Sequence, residues 1–159
     1  MDLFDDNSRS AIFSPCGMYR YLLFRHWNRE KPFVIFIGLN PSTATQSKDD
    51  PTIRRVKKLA ADWGYGGVCM MNLFAFISPY PEDLKTCADA IGENNTYLRM
   101  ACALGVDVIF SWGAFDVKDR ASEVIKMFPR AKALIINKDG SPRHPLYVPG
   151  NVKPVNYNP

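Results

Sequence analysis

Two polar motifs that each follow an apolar, strand-like run are the feature that most constrains the fold of this chain. Residues 38–43 (Gly-Leu-Asn-Pro-Ser-Thr) come directly after the apolar residues 33–37, and residues 144–147 (His-Pro-Leu-Tyr) follow the apolar residues 133–136. Continuous β-branched, apolar runs are typical of buried parallel strands. Because ligands bind at the carboxyl ends of strands in open α/β sheets, we expect the two motifs to face one pocket.

Helical and strand-like segments alternate along the rest of the chain. Further strands are predicted at residues 68–71 and 106–110, and residues 19–27 predict an edge strand or hairpin arm. A helix should begin with Asp50 as N-cap and Pro51 in its first turn, and two more are predicted at residues 93–104 and 115–127. This alternation predicts an α/β fold, a three-layer α/β/α sandwich around a central, mainly parallel four-stranded sheet.

Length and composition favour one folded domain. With 159 residues, 47% of them hydrophobic, the chain reads as a single domain over residues 1–159, with a core at about 19–150 and an irregular C-terminal tail. No window approaches the roughly 20 apolar residues that span a bilayer. Residues 1–6 are acidic and show no secretion leader. We therefore expect a cytoplasmic monomer without a membrane partner.

The cysteine spacing argues against a metal centre. Cys16, Cys69, Cys87 and Cys102 form no C-x-x-C pair, so zinc and iron–sulfur sites are disfavoured and reduced thiols are expected. We expect no metal and no organic cofactor.

The placement of charge is more informative than the net value of +4. Arg54, Arg55, Lys57 and Lys58 cluster in the first predicted helix, and Arg143 precedes the second motif. Basic groups beside a pocket suit a phosphate-bearing ligand such as DNA or a nucleotide. A solvated helix face is the alternative interpretation.

Four strand-end motifs occur in a fixed order. They are residues 38–41 (Gly-Leu-Asn-Pro), 70–73 (Met-Met-Asn-Leu), 110–113 (Phe-Ser-Trp-Gly) and 144–147. In this order the chain resembles the uracil-DNA glycosylase superfamily over residues 19–150. Residues 50–55 and 142–147 make it similar to a bacterial and phage family within that superfamily that is described as a domain of unknown function.

The resemblance implies a role for each motif. Asn40 would orient the attacking water, and His144 would donate a hydrogen bond to the negative charge on the departing base. Asn72 would read a pyrimidine edge through its amide. The other residues implied in substrate binding are Gly38, Leu39, Pro41, Ser42, Thr43, Asp50 and Trp112. Arg54, Arg55, Arg143, Leu146 and Tyr147 would contact DNA, with Leu146 or Tyr147 filling the space left by a flipped base.

This chain departs from the superfamily pattern at two places. Position 40 is Asn where many members have Asp, and an amide orients water without accepting its proton. Asp49 or Asp50 could supply the missing carboxylate, although Asp50 could simply cap a helix. The final motif lacks the Ser-Pro insertion of the His-Pro-Ser-Pro-Leu form.

Each motif residue also has a purely structural interpretation. Asn40 could shape a turn before Pro41, and Asn72 could form hydrogen bonds with backbone groups at a strand end. His144 could form a local hydrogen bond within its loop, and Trp112 could simply pack against its neighbours.

The function that follows is a monofunctional DNA glycosylase acting on duplex or single-stranded DNA. Its target would be a uracil-like, mispaired or modified pyrimidine, including the hypermodified bases of phages, in repair or anti-phage defence. Two alternatives remain: a nucleotide or nucleoside hydrolase or transferase on the same fold, and a non-catalytic nucleic-acid-binding module.

Overall fold

The structure is a computed structural model that describes residues 9–157. The sequence argument on residues 1–6 lies outside the described residues. Within residues 9–157, no helix has the length and apolar character needed to cross a membrane. All four cysteines carry free thiols, and only Cys69 among them is buried.

Seven strands form one sheet with parallel pairing at its centre. The strands are β1 (Arg9–Phe13), β2 (Arg20–His26), β3 (Phe33–Gly38), β4 (Gly67–Asn72), β5 (Val108–Phe110), β6 (Lys132–Ala133) and β7 (Val155–Asn156). Their order is β1-β2-β4-β3-β5-β6-β7. The β4–β3, β3–β5 and β5–β6 pairs are parallel, whereas β1–β2, β2–β4 and β6–β7 are antiparallel. The carboxyl ends of β3, β4 and β5 therefore meet at one edge.

Helices cover both faces of this sheet. They are α1 (Pro51–Asp62), the short α2 (Asp83–Thr86), α3 (Asn94–Ala103) and α4 (Lys118–Met127). On one face, Val34 and Phe36 of β3 share an apolar cluster with the buried residues of α1. On the other face, Ile35 and Ile37 join a cluster with residues of α3 and α4. Successive side chains of a strand point to opposite faces, which is why a wholly apolar β3 can support both layers.

The α/β class is confirmed, but the predicted extent of the sheet is wrong. Residues 9–157 contain seven strands where the sequence predicted four, and three of the six strand pairings among them are antiparallel. Of the two alternatives predicted for residues 19–27, β2 is the hairpin arm and not an edge strand, because β1 pairs with it antiparallel on its outer side. The predicted strand at residues 133–136 is reduced to β6 (Lys132–Ala133). Two-residue strands have no periodicity of their own, and tertiary pairing alone defines them.

Over residues 148–157, the C-terminal segment has no regular structure apart from β7, yet it is held against the rest of the fold. β7 pairs with β6, and Tyr157 is buried in the cluster of α3 and α4. The Tyr157 hydroxyl donates to the carbonyl of Gly140 at 2.8 Å. The Trp63 indole nitrogen on the opposite side of the sheet donates to the carbonyl of Val152 at 2.9 Å. Polar composition predicted a loop, yet these few contacts fix the segment.

Candidate functional site

A cavity of about 200 Å³ lies at the carboxyl edge of β3, β4 and β5. It brings together Asn40, Asn72, Trp112 and His144, the four side chains that the sequence placed after separate strands. The rest of its lining comprises Arg20, Gly38, Leu39, Ser42, Asp50, Thr52, Ile53, Met70, Ser78, Pro79 and Pro81. Of the predicted substrate-binding residues, Pro41 is buried and Thr43 is exposed, and neither lines the cavity.

Asn40 is held by backbone carbonyls from a distant loop. Its Nδ2 donates to the carbonyls of Pro41 at 3.1 Å, Phe76 at 3.3 Å and Ser78 at 2.9 Å. These acceptors fix the orientation of the amide. Oδ1 is therefore the polar atom of this side chain that can serve water or a ligand in the cavity. The amide shapes the loop, and its fixed acceptor suits the predicted water-orienting role.

Asn72 ends β4 as a buried amide with an unpartnered donor. Its side chain is 2% exposed, and its Nδ2 has no hydrogen-bond acceptor among the described residues. A Cβ on the neighbouring Gly38 would lie 2.9 Å from Asn72 Oδ1, so glycine is required for the two strand ends to approach. The backbone carbonyl of Asn72 accepts from Nδ2 of the buried Asn94 at 2.8 Å. A buried donor without a partner is costly, and a ligand acceptor in the cavity would satisfy it.

His144 presents a defined tautomer. Its Nδ1 accepts the backbone N–H of Leu146 at 3.1 Å, which places the proton of the neutral imidazole on Nε2. Burial lowers the pKa of His144 from its usual value, although the negative charge of Asp50 partly opposes that shift. The adjacent Gly113 adopts φ +82° and donates its N–H to the carbonyl of Pro142, so this turn packs directly beside His144. The arrangement provides a neutral N–H donor beside the cavity.

Trp112 packs against other aromatic side chains and also lines the cavity. It is 4% exposed, and its ring centroid lies 4.7 Å from that of Phe110 and 6.3 Å from that of Tyr157. The indole therefore forms a rigid wall, and its position does not depend on a ligand.

The two adjacent aspartates have different roles. Asp49 forms ion pairs with Arg25 at 2.8 Å and Lys57 at 2.9 Å. Burial raises the pKa of Asp49, but the hydrogen bonds from Lys57 and Arg25 outweigh burial and hold it below its usual value. Asp50 lines the cavity, and its Oδ1 caps α1 by accepting from the Ile53 N–H at 2.9 Å. Asp50 is thus a helix cap and also the carboxylate of the cavity, whereas Asp49 is a structural ion-pair partner.

Arg20 is the charged residue of the cavity lining that sequence reasoning missed. It is 3% exposed, its Nη1 donates to the carbonyl of Ala44 at 3.2 Å, and its Nε has no acceptor among the described residues. Burial lowers its pKa to about 10, with the charge of Asp50 opposing the shift, so the guanidinium is still charged near neutral pH. The sequence signal was an arginine inside an apolar, aromatic strand, but only the antiparallel β2–β4 pairing brings it to this edge.

The predicted DNA contacts fall into two groups. Arg55 is half-buried and donates from Nε to the carbonyl of Pro145 at 3.1 Å and from Nη2 to the carbonyl of Val148. Arg143 donates from Nε to Asn137 Oδ1 at 2.7 Å. Both therefore hold the loop around the second motif. Arg54 is exposed, with its Nη1 donating to the carbonyl of Asp49 at 3.2 Å, and Leu146 (43%) and Tyr147 (75%) are exposed too.

A larger cavity, of about 350 Å³, lies towards the opposite edge of the sheet. Its lining includes Arg9, Arg25, His26, Lys57 and Lys58. The basic cluster of α1 is thus divided between two regions of the surface, and Lys57 and Lys58 do not flank the candidate site. Within residues 9–157, no three His, Cys, Asp or Glu side chains lie close enough together to hold a metal ion.

The fold and the cavity define an α/β protein with a small, partly polar cavity at the carboxyl edge of its parallel strands. The chain belongs to the family described as "Protein of unknown function (DUF1643)", whose model matches residues 20–146. The matched range includes all four strand-end residues and begins at Arg20. No curated protein and no solved structure matches the chain.

Proposed function

We propose that this protein is a monofunctional DNA glycosylase. The observation that carries the proposal is that Asn40, Asn72 and His144, which come from three distant motifs, line one cavity. The order of these motifs resembles the uracil-DNA glycosylase superfamily, and the parallel centre of the sheet is compatible with membership. The finer assignment to that superfamily is part of the proposal.

The reaction would be hydrolysis of an N-glycosidic bond. Water attacks the anomeric carbon of the deoxyribose, the bond to the base breaks, and its electron pair leaves with the base. The sugar passes through an oxocarbenium-like state, as in other glycosidic cleavages. His144 Nε2–H would stabilise the charge on the departing base, and Asn40 Oδ1 would accept a hydrogen bond from the water. Asp50, the carboxylate that lines the cavity, would take the proton that the water loses.

The surroundings of the cavity support a DNA substrate. Leu146 and Tyr147 follow His144 in an exposed 3-10 turn, Pro145–Tyr147, and the Tyr147 ring centroid lies 5.8 Å from that of His144. Such side chains can fill the space that a flipped base leaves in the stack. The exposed Arg54 is placed to contact phosphate. The partner would be duplex or single-stranded DNA, with no metal or organic cofactor.

An abasic-site assay tests the proposal. The protein is incubated with DNA containing uracil, G·U and G·T mismatches, 5-hydroxymethylated or glucosylated cytosine, or no modification. We expect breaks on one substrate that appear only after alkali treatment, because no lysine is among the described residues that line the cavity and could cleave the strand. Asn40→Ala and His144→Ala should abolish them, whereas Asn151→Ala, at an exposed turn, should not. Equal activity in all variants, or none on any substrate, would contradict the proposal.

A second candidate is a nucleotide or nucleoside hydrolase or transferase. The buried, unpaired charge of Arg20 favours it, because a guanidinium also suits the phosphate of a free nucleotide. DNA affinity discriminates between the two. A glycosylase should bind DNA with a marked salt dependence, which a nucleotide enzyme does not require. A non-catalytic module would bind DNA and tolerate loss of Asn40 and His144.

A further inference from the structure

Arg20 differs from the other buried arginines of the described chain. Arg25 pairs with Asp49, and Arg120 pairs with Glu123 at 2.9 Å. Arg20 forms no ion pair within residues 9–157, and the one hydrogen bond of its guanidinium there goes to the neutral carbonyl of Ala44. A buried charge normally requires a charged or strongly polar partner.

The missing partner of Arg20 would have to lie in the candidate cavity. Arg20 lines that cavity, and its Nε is a buried donor without an acceptor. Nδ2 of Asn72 is a second buried donor without an acceptor on the same cavity. Asp50 lines the cavity too, but its Oδ1 is committed to the N-terminus of α1 and it forms no ion pair with Arg20. The cavity therefore presents two unused donors and the positive charge of Arg20, together with the carboxylate of Asp50.

A ligand group with negatively charged oxygens would provide acceptors for these donors. Guanidinium groups bind carboxylate and phosphate oxygens more strongly than neutral acceptors. At about 200 Å³, the cavity is smaller than the roughly 300–1,000 Å³ of typical ligand sites, and it fits a single ring with a substituent better than a whole nucleotide.

We infer that Arg20 is a specificity-determining residue and that the cavity selects a pyrimidine base bearing an oxyanion, such as a carboxylate. The inference rests on the proposed function in that the base is presented by DNA. Arg20 pairs with the oxyanion, and Asn72 Nδ2 donates to an oxygen of the same base. Ordinary uracil lacks the charge and binds less tightly.

Binding of free bases tests this inference without any need for catalysis. The full chain is titrated calorimetrically with 5-carboxyuracil, its neutral isostere 5-carbamoyluracil, and uracil. We expect the carboxylate to bind roughly tenfold or more tightly than the carbamoyl compound. Arg20→Gln should remove that difference, and Arg20→Lys should keep part of it. Arg99→Gln, at an exposed arginine of α3, should leave it unchanged.

Equal binding of the two isosteres by the wild-type protein would overturn the inference, whatever the stability of the variants. A preference that survives in folded Arg20→Gln would also overturn it. Titrations with uridine monophosphate and inorganic phosphate distinguish the source of the oxyanion. If these two compounds alone bind in a way that depends on Arg20, then Arg20 recognises a phosphate and not a substituent of the base, and the inference is overturned. Selective binding of 5-carboxyuracil without its release from DNA would support Arg20 as the selector and contradict the glycosylase proposal.

Discussion

Asn72 Oδ1 lies 2.9 Å from the point at which a Cβ on Gly38 would stand, and the two residues are partners in the parallel pairing of β3 with β4. The same Cβ would lie 2.6 Å from Met70 Cε. The end of the long Met70 side chain is flexible and can move away. The Asn72 side chain is shorter, and its backbone is held as the last residue of β4. The absence of a Cβ at position 38 therefore allows the Asn72 amide to lie where it does at the end of β4.

Gly38→Ala should displace Asn72 more than it harms the fold. We expect a loss of about 1–3 kcal/mol in the free energy of unfolding, typical of overpacking, together with loss of base release. Denaturant unfolding and the abasic-site assay measure the two effects. Gly150→Ala is the matched control, since its Cβ would meet nothing closer than Arg55 Nη1 at 3.9 Å. Full activity in Gly38→Ala would show that the position of Asn72 is unimportant.

Asn40→Asp should destabilise the protein although it restores the Gly-x-Asp-Pro pattern. The substitution replaces an N–H donor that faces three carbonyls by a carboxylate oxygen. We expect a cost of about 1–3 kcal/mol, or more for the ionised form. The three carbonyls should raise the pKa of the new carboxyl in the folded state, so the cost grows as the pH rises.

Unfolding of Asn40→Asp and wild type, compared at about pH 4 and about pH 8, tests this sign. Asn151→Asp, at an exposed turn, is the control and should change stability little at either pH. A stability loss that is independent of pH would mean that the new carboxyl does not face the carbonyls.

His144 should make the stability of the protein depend on pH. Burial lowers its folded pKa, so the unfolded chain, with a pKa of about 6.5, binds the proton more readily. The stability contribution is therefore present above that value and is lost as the pH falls through the folded pKa. Protonation also removes the Nδ1 acceptor of the Leu146 N–H.

Two amide substitutions separate the structural and chemical roles of His144. His144→Asn keeps an acceptor near the position of Nδ1 but does not titrate, so wild type should lose more stability than this variant on acidification. His144→Gln places an amide donor nearer the position of Nε2 and should retain more base release than His144→Asn. If stability depends on pH in the same way in wild type and His144→Asn, then His144 is not the titrating group.

Arg54 and Arg55 are neighbours with opposite expected phenotypes. Arg55→Gln removes hydrogen bonds from a charged group to the carbonyls of Pro145 and Val148, and it should cost about 1.5–3 kcal/mol of stability. Arg54→Gln, at an exposed position, should change stability by no more than about 0.5 kcal/mol.

DNA binding should rank the same two variants in reverse. If Arg54 contacts phosphate, its loss should lower the salt-dependence slope of DNA affinity by about 1, while folded Arg55→Gln keeps the slope. Fluorescence anisotropy at several salt concentrations gives these slopes. Identical slopes in wild type and Arg54→Gln would exclude a phosphate contact at this position.

The sequence was sufficient where a local pattern carried the information. The apolar run of β3 and the Asp50-Pro51 start of α1 were predictable, and Asp50 does cap the helix at the Ile53 N–H. The four strand-end residues could be placed at one edge because parallel strands align their carboxyl ends. Membership of the family of unknown function could be recognised from residues 50–55 and 142–147, whereas the uracil-DNA glycosylase superfamily stays a prediction.

What could not be predicted depends on pairing between distant segments. Arg20 reaches the cavity because β2 runs antiparallel to β4, and no periodicity within residues 19–27 specifies that partner. Arg55 looked like a free cation because its acceptors, the carbonyls of Pro145 and Val148, lie far along the chain. β7 was missed because its two residues gain their strand geometry from β6 alone.

The strand order also determines when the cavity can form during folding. Asn40, Asn72 and Trp112 follow β3, β4 and β5, which are parallel neighbours and can pair only after long stretches of intervening chain have closed. The amide of Asn40 finds its acceptors at Phe76 and Ser78 only when that closure has occurred. Loop-closure entropy makes such non-local pairing slow. We therefore expect the cavity to form late in folding, so that a partly folded chain would carry these polar side chains without the cavity they line.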